Sequence, residues 1–326
     1  MAGIRDVAKI AGVSASTVSR VMNGTAHVDE EKKLRVLAAI KETNFRPNEL
    51  ARSLYKKSSK MIGVILPTME NPFFTELAKD IEEAAYDHSY RFALCNSNHD
   101  YHKEKNNIRT MTQLNADGMI LMSNHEKVWK EVKECNIPVV IMDRQLRDHK
   151  ELAYIGSNHY EGGKLAAKHM IECGCKYLVH MRGSQVLSSA RQRLQGCLDV
   201  CKESHIPMDV VDCGYEYHDG IQAICEILER YPKVDGILAS NDVTALAAYK
   251  VLKNKGYDIP RDIQLMGYDN TNISSMVTPE ITTIAQQTKA MGRLAVEIIV
   301  NHINQVPFKK ETIFDVSLIE RETTKK

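Results

Sequence analysis

The chain has 326 residues, a formal net charge of +1 and eight cysteines. Charged residues near its amino terminus stand where an export signal would have an apolar stretch, and no apolar run approaches the length of a membrane span. These features exclude a membrane protein and an exported protein held together by disulfides. We therefore expect a cytoplasmic protein whose cysteines stay reduced.

Residues 4–23 have the pattern of a helix-turn-helix. Gly12 permits a tight bend between two segments of helical apolar spacing, and the Ser14 hydroxyl can cap the second helix by accepting from the backbone of Thr17. In such a unit the second helix lies in the major groove of DNA, with its N-terminal side chains against base edges. The residues expected to be buried are Val7, Ala8, Ala11, Val18, Val21 and Met22.

A third helix and the local charge extend this interpretation. Acidic residues 29–31 lie near the positive end of the predicted helix, and Val36, Leu37 and Ile40 are predicted to be its buried face. Residues 1–60 contain twelve Lys and Arg against six Asp and Glu, so they carry +6 and the remainder carries −5. A basic amino-terminal segment joined to a mildly acidic remainder is typical of proteins that bind phosphate groups of nucleic acids. We therefore predict a DNA-binding domain over residues 1–46.

Residues 47–60 are predicted to form a hinge helix and a linker. Pro47 can end the preceding helix and begin another, but one or two turns are too short to be stable alone. Such a helix could fold only when DNA and a partner subunit supply the missing contacts. An ordinary interdomain connector is the alternative.

From residue 61 onward, short apolar strands alternate with amphipathic helices. The predicted strands are 61–66, 91–95, 118–122, 138–142, 176–180, 210–211, 236–239 and 263–267. Near-continuous apolar strands between helices predict an α/β fold, with parallel sheets covered on both faces. Because about 265 residues is large for one such sheet, we expect two lobes. The first would span about 61–157 and 288–316, and the second about 158–287 and 317–326.

Polar and aromatic residues cluster where the predicted strands end. Since ligands of open parallel sheets bind at the carboxyl ends of the strands, these groups predict a binding cleft. Carboxylates, amides and guanidinium groups offer the donors and acceptors that sugar hydroxyls need, and aromatic rings can cover the C–H faces of a sugar. Taken singly, the same residues could be turn chemistry or surface ion pairs. The segments are 71–74, 143–144, 190–196, 240–242, 267–270 and 285–287.

The helix-turn-helix and the segment Asn48-x-x-Ala51-Arg52-x-Leu54 resemble the lactose/galactose-repressor family of bacterial transcription regulators, and the resemblance covers essentially the whole chain. It implies that two hinge helices pair in the minor groove, with Leu54 as an apolar wedge that kinks the duplex. It also implies that Arg20 makes a bidentate contact to guanine and that the small Ala15 makes only an apolar contact. The predicted DNA-contacting residues are Ala15, Ser16, Thr17, Arg20, Asn23, Asn48, Ala51, Arg52 and Leu54.

The lobed part is similar to periplasmic sugar-binding proteins and to the effector domain of the same family. The strand-end residues match the ribose-contacting positions of the ribose-binding branch, although Tyr268 stands where that branch often has Phe. The predicted ligand-binding residues are Asn71, Phe73, Phe74, Asp143, Arg144, Arg193, Asn241, Tyr268, Asp269 and Gln286. The resemblance implies a sugar effector, D-ribose in first place and acting as inducer. Another sugar, or a protein or phosphosugar corepressor as in the catabolite-control branch, is the alternative.

The remaining expectations concern partners and chemistry. A two-fold homodimer suits a palindromic operator, and the carboxyl-terminal residues lack the Leu heptads of tetrameric relatives. Cys173-Gly174-Cys175 lacks the paired spacing of a structural zinc site, so we expect no metal or cofactor. Asp143 and Asp269 could be a glycosidase pair, but an enzyme would not need the basic amino-terminal segment and no catalytic motif is present. We therefore predict that the chain is not an enzyme.

Overall fold

The computed structural model describes residues 2–24, 28–45, 58–123, 125–144 and 152–325. The chain divides into two compact units, Met1–Ser59 and Lys60–Lys326. Within the described ranges, no helix is long and apolar enough to cross a lipid bilayer.

The described part of the smaller unit contains three helices: α1 (Ile4–Ala11), α2 (Ala15–Asn23) and α3 (Glu30–Thr43). Gly12 follows α1 with φ of 63°, the left-handed conformation that glycine adopts without steric cost. The Ser14 hydroxyl accepts from the Thr17 backbone N–H at 3.2 Å, which confirms the predicted cap of α2. Asp29 caps α3 in the same way.

The core of this unit agrees with the prediction only in part. Val7, Ala8, Ala11 and Val18 are buried as expected, whereas Val21, Met22 and Ile40 are partly buried at the edge of the core. Leu37 is 48% exposed, so its predicted burial was wrong. Residues three and four positions apart lie on the same face of a helix, so Ala39 and Ile40 lie on the buried face with Val36. Leu37 lies on a different face and points toward solvent.

The residues that the structure describes in the larger unit form two six-stranded sheets. The first is parallel throughout and has the order β11-β5-β4-β3-β1-β2. Its strands are β1 (Met61–Leu66), β2 (Arg91–Asn96), β3 (Gly118–Leu121), β4 (Val139–Met142), β5 (Ala153–Ser157) and β11 (Glu311–Phe314). Apolar clusters cover both of its faces, as expected for a buried parallel sheet. This sheet and the helices packed on it are the first lobe.

The second sheet has the order β12-β10-β9-β8-β6-β7, and β12 is its antiparallel edge strand. Its strands are β6 (Leu178–Arg182), β7 (Met208–Asp212), β8 (Gly236–Leu238), β9 (Gln264–Asp269), β10 (Thr282–Ala285) and β12 (Ser317–Ile319). This sheet and its helices are the second lobe. The predicted α/β class and two-lobed architecture are confirmed, whereas the exact lobe boundaries stay a prediction.

Helices flank both sheets. They are α4 (Pro72–Asp87), α5 (Tyr101–Gln113), α6 (Trp129–Glu134), α7 (His159–Glu172), α8 (Ser188–Glu203), α9 (Tyr217–Arg230), α10 (Asp242–Asn254) and α11 (Thr288–Ile303). Short 3₁₀ turns occur at Glu126–Val128 and Asn272–Ser275. β1 lies between β2 and β3, and β6 lies between β7 and β8, so successive strands are added first on one side and then on the other. At such a reversal of strand order, the connections diverge and leave a crevice at the carboxyl ends of the strands.

Two glycines bring α7 and α8 into backbone contact. A Cβ atom on Gly196 would lie 2.1 Å from the carbonyl oxygen of Tyr160, and one on Gly163 would lie 2.1 Å from that of Arg193. Backbone atoms cannot rotate away as a side chain can. The separation of the two helices is therefore set by the absence of side chains at these positions.

Replacing Gly196 with alanine should lower the free energy of unfolding by about 1–3 kcal/mol, because the added methyl group must push α8 away from α7. Denaturant unfolding of the larger unit measures this loss. The exposed Gln192→Ala variant on the same helix is the control and should stay within about 0.5 kcal/mol of wild type. Unchanged stability of Gly196→Ala would show that the helices separate without cost.

Candidate functional site: an exposed helix face and an interlobe cleft

The second helix of the smaller unit presents a polar face to solvent. Ser16 and Arg20 are exposed and lie one helical turn apart, while Ala15 and Thr17 are half-buried. Val18 points the opposite way and is fully buried. Asn23 ends the helix. Asn48, Ala51, Arg52 and Leu54, the predicted hinge contacts, lie outside the described residues.

The first lobe contributes a capped helix and two rings to the cleft. After β1, the Asn71 side chain caps α4 by accepting from the Phe73 backbone N–H at 3.0 Å. This cap orients the first turn of α4, so that the rings of Phe73 and Phe74 meet edge to face with centroids 5.2 Å apart. All three residues are buried.

Asp143 and Arg144 follow β4 and are also buried, so they are not a surface ion pair. Arg144 Nε lies 3.3 Å from Asp143 Oδ2, but the buried Nε and Nη1 of Arg144 make no hydrogen bond. The guanidinium carbon lies 5.4 Å from the centroid of the Phe74 ring. Buried guanidinium donors are costly to leave unpaired, so this group is suited to an oxygen-rich ligand.

The second lobe presents another arginine and carboxylate. Arg193 Nη2 donates to Asp269 Oδ1 at 3.3 Å, and Gln286 Nε2 donates to the same oxygen at 2.8 Å. The Arg193 guanidinium also stacks on the Tyr268 ring, 3.6 Å from its centroid, and Nη1 donates to the carbonyl of Ser240. Burial raises the pKa of the Asp269 carboxyl, and the charge of Arg193 opposes this rise.

Both cleft carboxylates lie on backbone in the left-handed half of conformational space. Asp143 has φ of 66° and Asp269 has φ of 101°. Aspartate tolerates positive φ better than most residues, but such conformations still cost energy and cluster at functional sites. At both strand ends, this backbone conformation accompanies a carboxylate that lines the cleft.

Together these side chains line a partly open space of about 10 Å³, which has room for about one water molecule. A sugar-sized ligand can enter only if the lining groups move apart. The lining residues are Asn71, Phe73, Phe74, Asp143, Arg144, Ser189, Arg193, Tyr215 and Asp269.

Seven of the ten residues predicted to bind ligand line this space, and three lie behind it. The Asn241 amide accepts from Thr244 N and donates to the Tyr215 carbonyl, so it caps α10. Tyr268 supports Arg193, and Gln286 bridges Asp269 and Ser157. Sequence reasoning missed Ser189 and Tyr215, although both follow predicted strands.

A wider cavity of about 720 Å³ is lined by Tyr101, His125, Glu126, Lys127, Gln185, Val186 and Arg191. Its Arg191 donates to the carbonyls of Gln185 and Val186 at 2.7 and 2.8 Å, so that guanidinium is held by its own loop. Among the residues described, no cluster of three or more His, Cys, Asp or Glu side chains could hold a metal ion.

A buried carboxyl lies close to the cleft on α5. Glu104 is 1% exposed, and its Oε1 makes no hydrogen bond. Burial raises the pKa of Glu104 to about 7, and a hydrogen bond with Ser123 and the charge of Arg144 oppose the rise.

This raised pKa makes stability depend on pH. Because the folded pKa lies above the ordinary value of 4.5, the stability contributed by Glu104 is present below pH 4.5 and is lost as pH rises through about 7. The free energy of unfolding of wild type relative to Glu104→Gln should therefore fall by up to about 3 kcal/mol over that range. Denaturant unfolding at several pH values measures it, with the exposed Glu229→Gln as control. Parallel pH curves for wild type and Glu104→Gln would contradict the prediction.

Comparisons with known proteins agree with this architecture. Residues 3–48 match the lacI family of bacterial regulatory proteins, and residues 62–306 match the periplasmic binding protein domain. The chain is 36% identical to the ribose operon repressor of Halalkalibacterium halodurans, over all of this chain and 98% of that one.

Two solved structures are similar. The lac repressor dimer bound to operator and the anti-inducer ONPF matches with a TM-score of 0.90 and 26% identity, over 100% of this chain and 99% of that chain. A periplasmic binding protein/LacI transcriptional regulator from Alkaliphilus metalliredigens, complexed with D-xylulofuranose, has a TM-score of 0.74 and 31% identity, over 81% of this chain and 99% of that chain.

The resemblance found in the helix-turn-helix and the strand ends is therefore confirmed over the whole chain. The three-helix unit with its exposed polar helix face is a DNA-binding domain, and the two-lobed unit is an effector domain. The chain belongs to the lacI family of bacterial regulatory proteins, and it is a DNA-binding transcriptional repressor and not an enzyme.

Proposed function

We propose that this repressor binds a palindromic operator as a homodimer in the cytoplasm, and that a small sugar, D-ribose in first place, binds between the lobes and releases it from DNA. The observation that carries the proposal is the pairing, across one buried cleft, of two carboxylates with two guanidinium groups beside two phenyl rings. No cofactor enters this scheme.

The chemistry of the cleft fits a sugar better than a charged or apolar ligand. Asp143 and Asp269 can accept from hydroxyl groups, while the unpaired Nε and Nη1 of Arg144 can donate to hydroxyl or ring oxygens. The rings of Phe73 and Phe74 offer apolar surface to C–H groups. Both charges occur in each lobe, so a neutral ligand with many hydroxyls satisfies the site without leaving an excess charge buried.

The size of the ligand is argued from the relatives. The 36% identity to a ribose operon repressor supports a pentose, and a pentose-sized ketose occupies a similar regulator at 31% identity. The space of about 10 Å³ between the lining residues is too small for a sugar, so the lobes or their side chains must shift when a sugar enters. Sugar binding is therefore coupled to a conformational change, which is the condition for an effector.

Linkage then fixes what an inducer must do. If the sugar binds the DNA-incompetent form more tightly, it lowers operator affinity, and the operator must lower sugar affinity by the same factor. We assign ribose the role of inducer because the related protein is named a ribose operon repressor. Release of such a repressor by ribose would allow expression of the ribose operon when the sugar is present. A protein or phosphosugar corepressor would give the opposite sign.

The DNA-binding side of the proposal rests on the exposed face of α2 and on charge. Ser16 and Arg20 would reach base edges, with Ala15 and Thr17 beside them. By resemblance, Asn23 would also contact DNA. Residues 1–60 carry +6, which supports attraction to phosphates. By resemblance, Asn48, Ala51 and Arg52 would contact DNA beside the Leu54 wedge of the hinge.

Calorimetric titration tests the sugar assignment. D-ribose, its epimers D-xylose and D-arabinose, and ribose 5-phosphate are each titrated into the purified repressor. We expect saturable heat at one ribose per chain, with weaker binding of the epimers and of the charged phosphate. Heat from another sugar alone would overturn ribose and keep the cleft, whereas silence from all four would contradict a pentose site. Operator binding that appears only with an added protein would instead favour the corepressor.

A further inference from the structure

One buried histidine lies beside the cleft and has neighbours in both lobes. His159 begins α7 in the second lobe and is 1% exposed. Its ring packs beside Tyr268 with centroids 5.9 Å apart, on the side of the cleft where Arg193 lies. A buried histidine between charged groups has a definite protonation pattern, and its neighbours determine that pattern here.

The neighbours of Nδ1 fix the tautomer of His159. Arg193 Nε donates to Nδ1 at 3.3 Å, and the Tyr268 hydroxyl lies 3.2 Å from the same atom. Because a guanidinium only donates, Nδ1 must accept, and the neutral ring must carry its proton on Nε2. Burial and the positive charges of Arg193 and Arg144 lower the pKa of His159 well below its usual value, in agreement with a neutral ring.

The proton on Nε2 faces the other lobe. Nε2 is buried and makes no hydrogen bond, and it lies 3.8 Å from Asp143 Oδ1. That separation is too long for a hydrogen bond, but it leaves the Asp143 carboxylate next to the unpaired donor. A buried donor without a partner is costly, so a small approach of Asp143 would be favoured.

We infer that His159 is a positioning residue for the effector: on ligand binding its Nε2–H donates to Asp143 and holds that carboxylate toward the sugar. This role rests on the proposed sugar site. The contacts run from Asp143 through His159 to Arg193 and Asp269, so one imidazole connects the carboxylates of both lobes. His159 does not line the space of about 10 Å³ itself and acts on the ligand through Asp143 and Arg193.

The first test reads the tautomer directly. Histidine labelled with ¹⁵N is observed by NMR in the full repressor, and the signal of His159 is assigned by its loss in His159→Gln. We expect a neutral ring protonated on Nε2 from about pH 6 to pH 8, with a shift of the Nε2 signal when D-ribose is added. A ring protonated on Nδ1, or a charged ring, would overturn the inference.

The second test uses a matched pair of variants. The amide nitrogen of glutamine can reach the position of Nε2, whereas asparagine is too short and reaches only that of Nδ1. We expect His159→Asn to weaken ribose binding by about tenfold to a hundredfold, as for loss of a hydrogen bond to a charged group. His159→Gln should stay close to wild type. His169→Asn is the control, since His169 is buried on the same helix but bonded to Thr324.

The outcomes separate this role from the proposed function. Unchanged ribose affinity in His159→Asn, or an equal loss in His159→Gln, would overturn the positioning role while the sugar site stands. An equal loss in the His169→Asn control would show that α7 acts only through stability. If the wild-type repressor gives no heat of binding with any of the sugars, the proposed function is overturned, and the role of His159 with it.

Discussion

Replacing Asp269 with alanine should abolish the response to sugar and leave operator binding intact. The Asp269 carboxylate accepts from Arg193 and Gln286 and is the carboxylate with which the second lobe lines the cleft. Its loss should remove the proposed charge-assisted hydrogen bonds to the sugar and leave the buried Arg193 without its counterion, so sugar affinity should fall at least about 100-fold. Calorimetry with D-ribose and operator binding with and without the sugar measure the two functions separately.

Two further variants keep this prediction decisive. Asp269→Asn preserves the shape of the side chain but removes its charge, and it should show the same loss of response with less effect on folding. The exposed Glu229→Gln should behave as wild type. An Asp269→Ala repressor that sugar still releases from DNA would contradict the assignment of the cleft, and loss of operator binding as well would indicate a folding defect.

Replacing Arg20 with alanine should weaken operator binding by about 1–3 kcal/mol and relax sequence preference at one base pair of each half-site. Arg20 is exposed on α2, and Val18 anchors the same helix in the core. Loss of the Arg20 guanidinium should therefore remove the proposed contact to a base without disturbing the fold. Fluorescence anisotropy with operator and with random DNA at one fixed salt concentration measures specific and non-specific binding.

The comparison with Arg20→Lys isolates base reading from charge. Lysine keeps the positive charge but lacks the two-pronged guanidinium, so it should restore binding to random DNA without restoring specificity. An equal loss on operator and on random DNA in Arg20→Ala would show that Arg20 contacts phosphate only. The sugar affinity of both variants should equal that of wild type.

Local signals in the sequence predicted the DNA-binding unit well. The turn at Gly12 and the cap at Ser14 depend on residues within three positions of each other, and both are present in the structure. Leu37 was assigned to the core because it is apolar, but helical geometry gives that place to Ala39. Where burial is decided by the direction of a side chain, residue type alone misleads.

Long-range features were harder to predict. Among the described strands, β5, β10, β11 and β12 were not predicted. The edge strands β11 and β12 are short and partly exposed, and the inner strands β5 and β10 contain Ser or Thr, so they lack the continuous apolar run by which most other strands were recognised. The strand-end rule found seven lining residues, because the carboxyl ends of parallel strands meet in space. It could not separate residues that face the cleft from Asn241, whose amide caps a helix. It also could not find His159, whose partners lie 16 and 34 positions away.

The most direct test of the account is a titration of D-ribose into the repressor bound to its operator. The operator is first selected by the protein from a random palindromic library, and the complex is followed by fluorescence anisotropy at fixed salt. Release of the DNA at saturating ribose, with no release by D-xylose, is the predicted result. Unchanged or tighter operator binding at saturating ribose would contradict induction by this sugar.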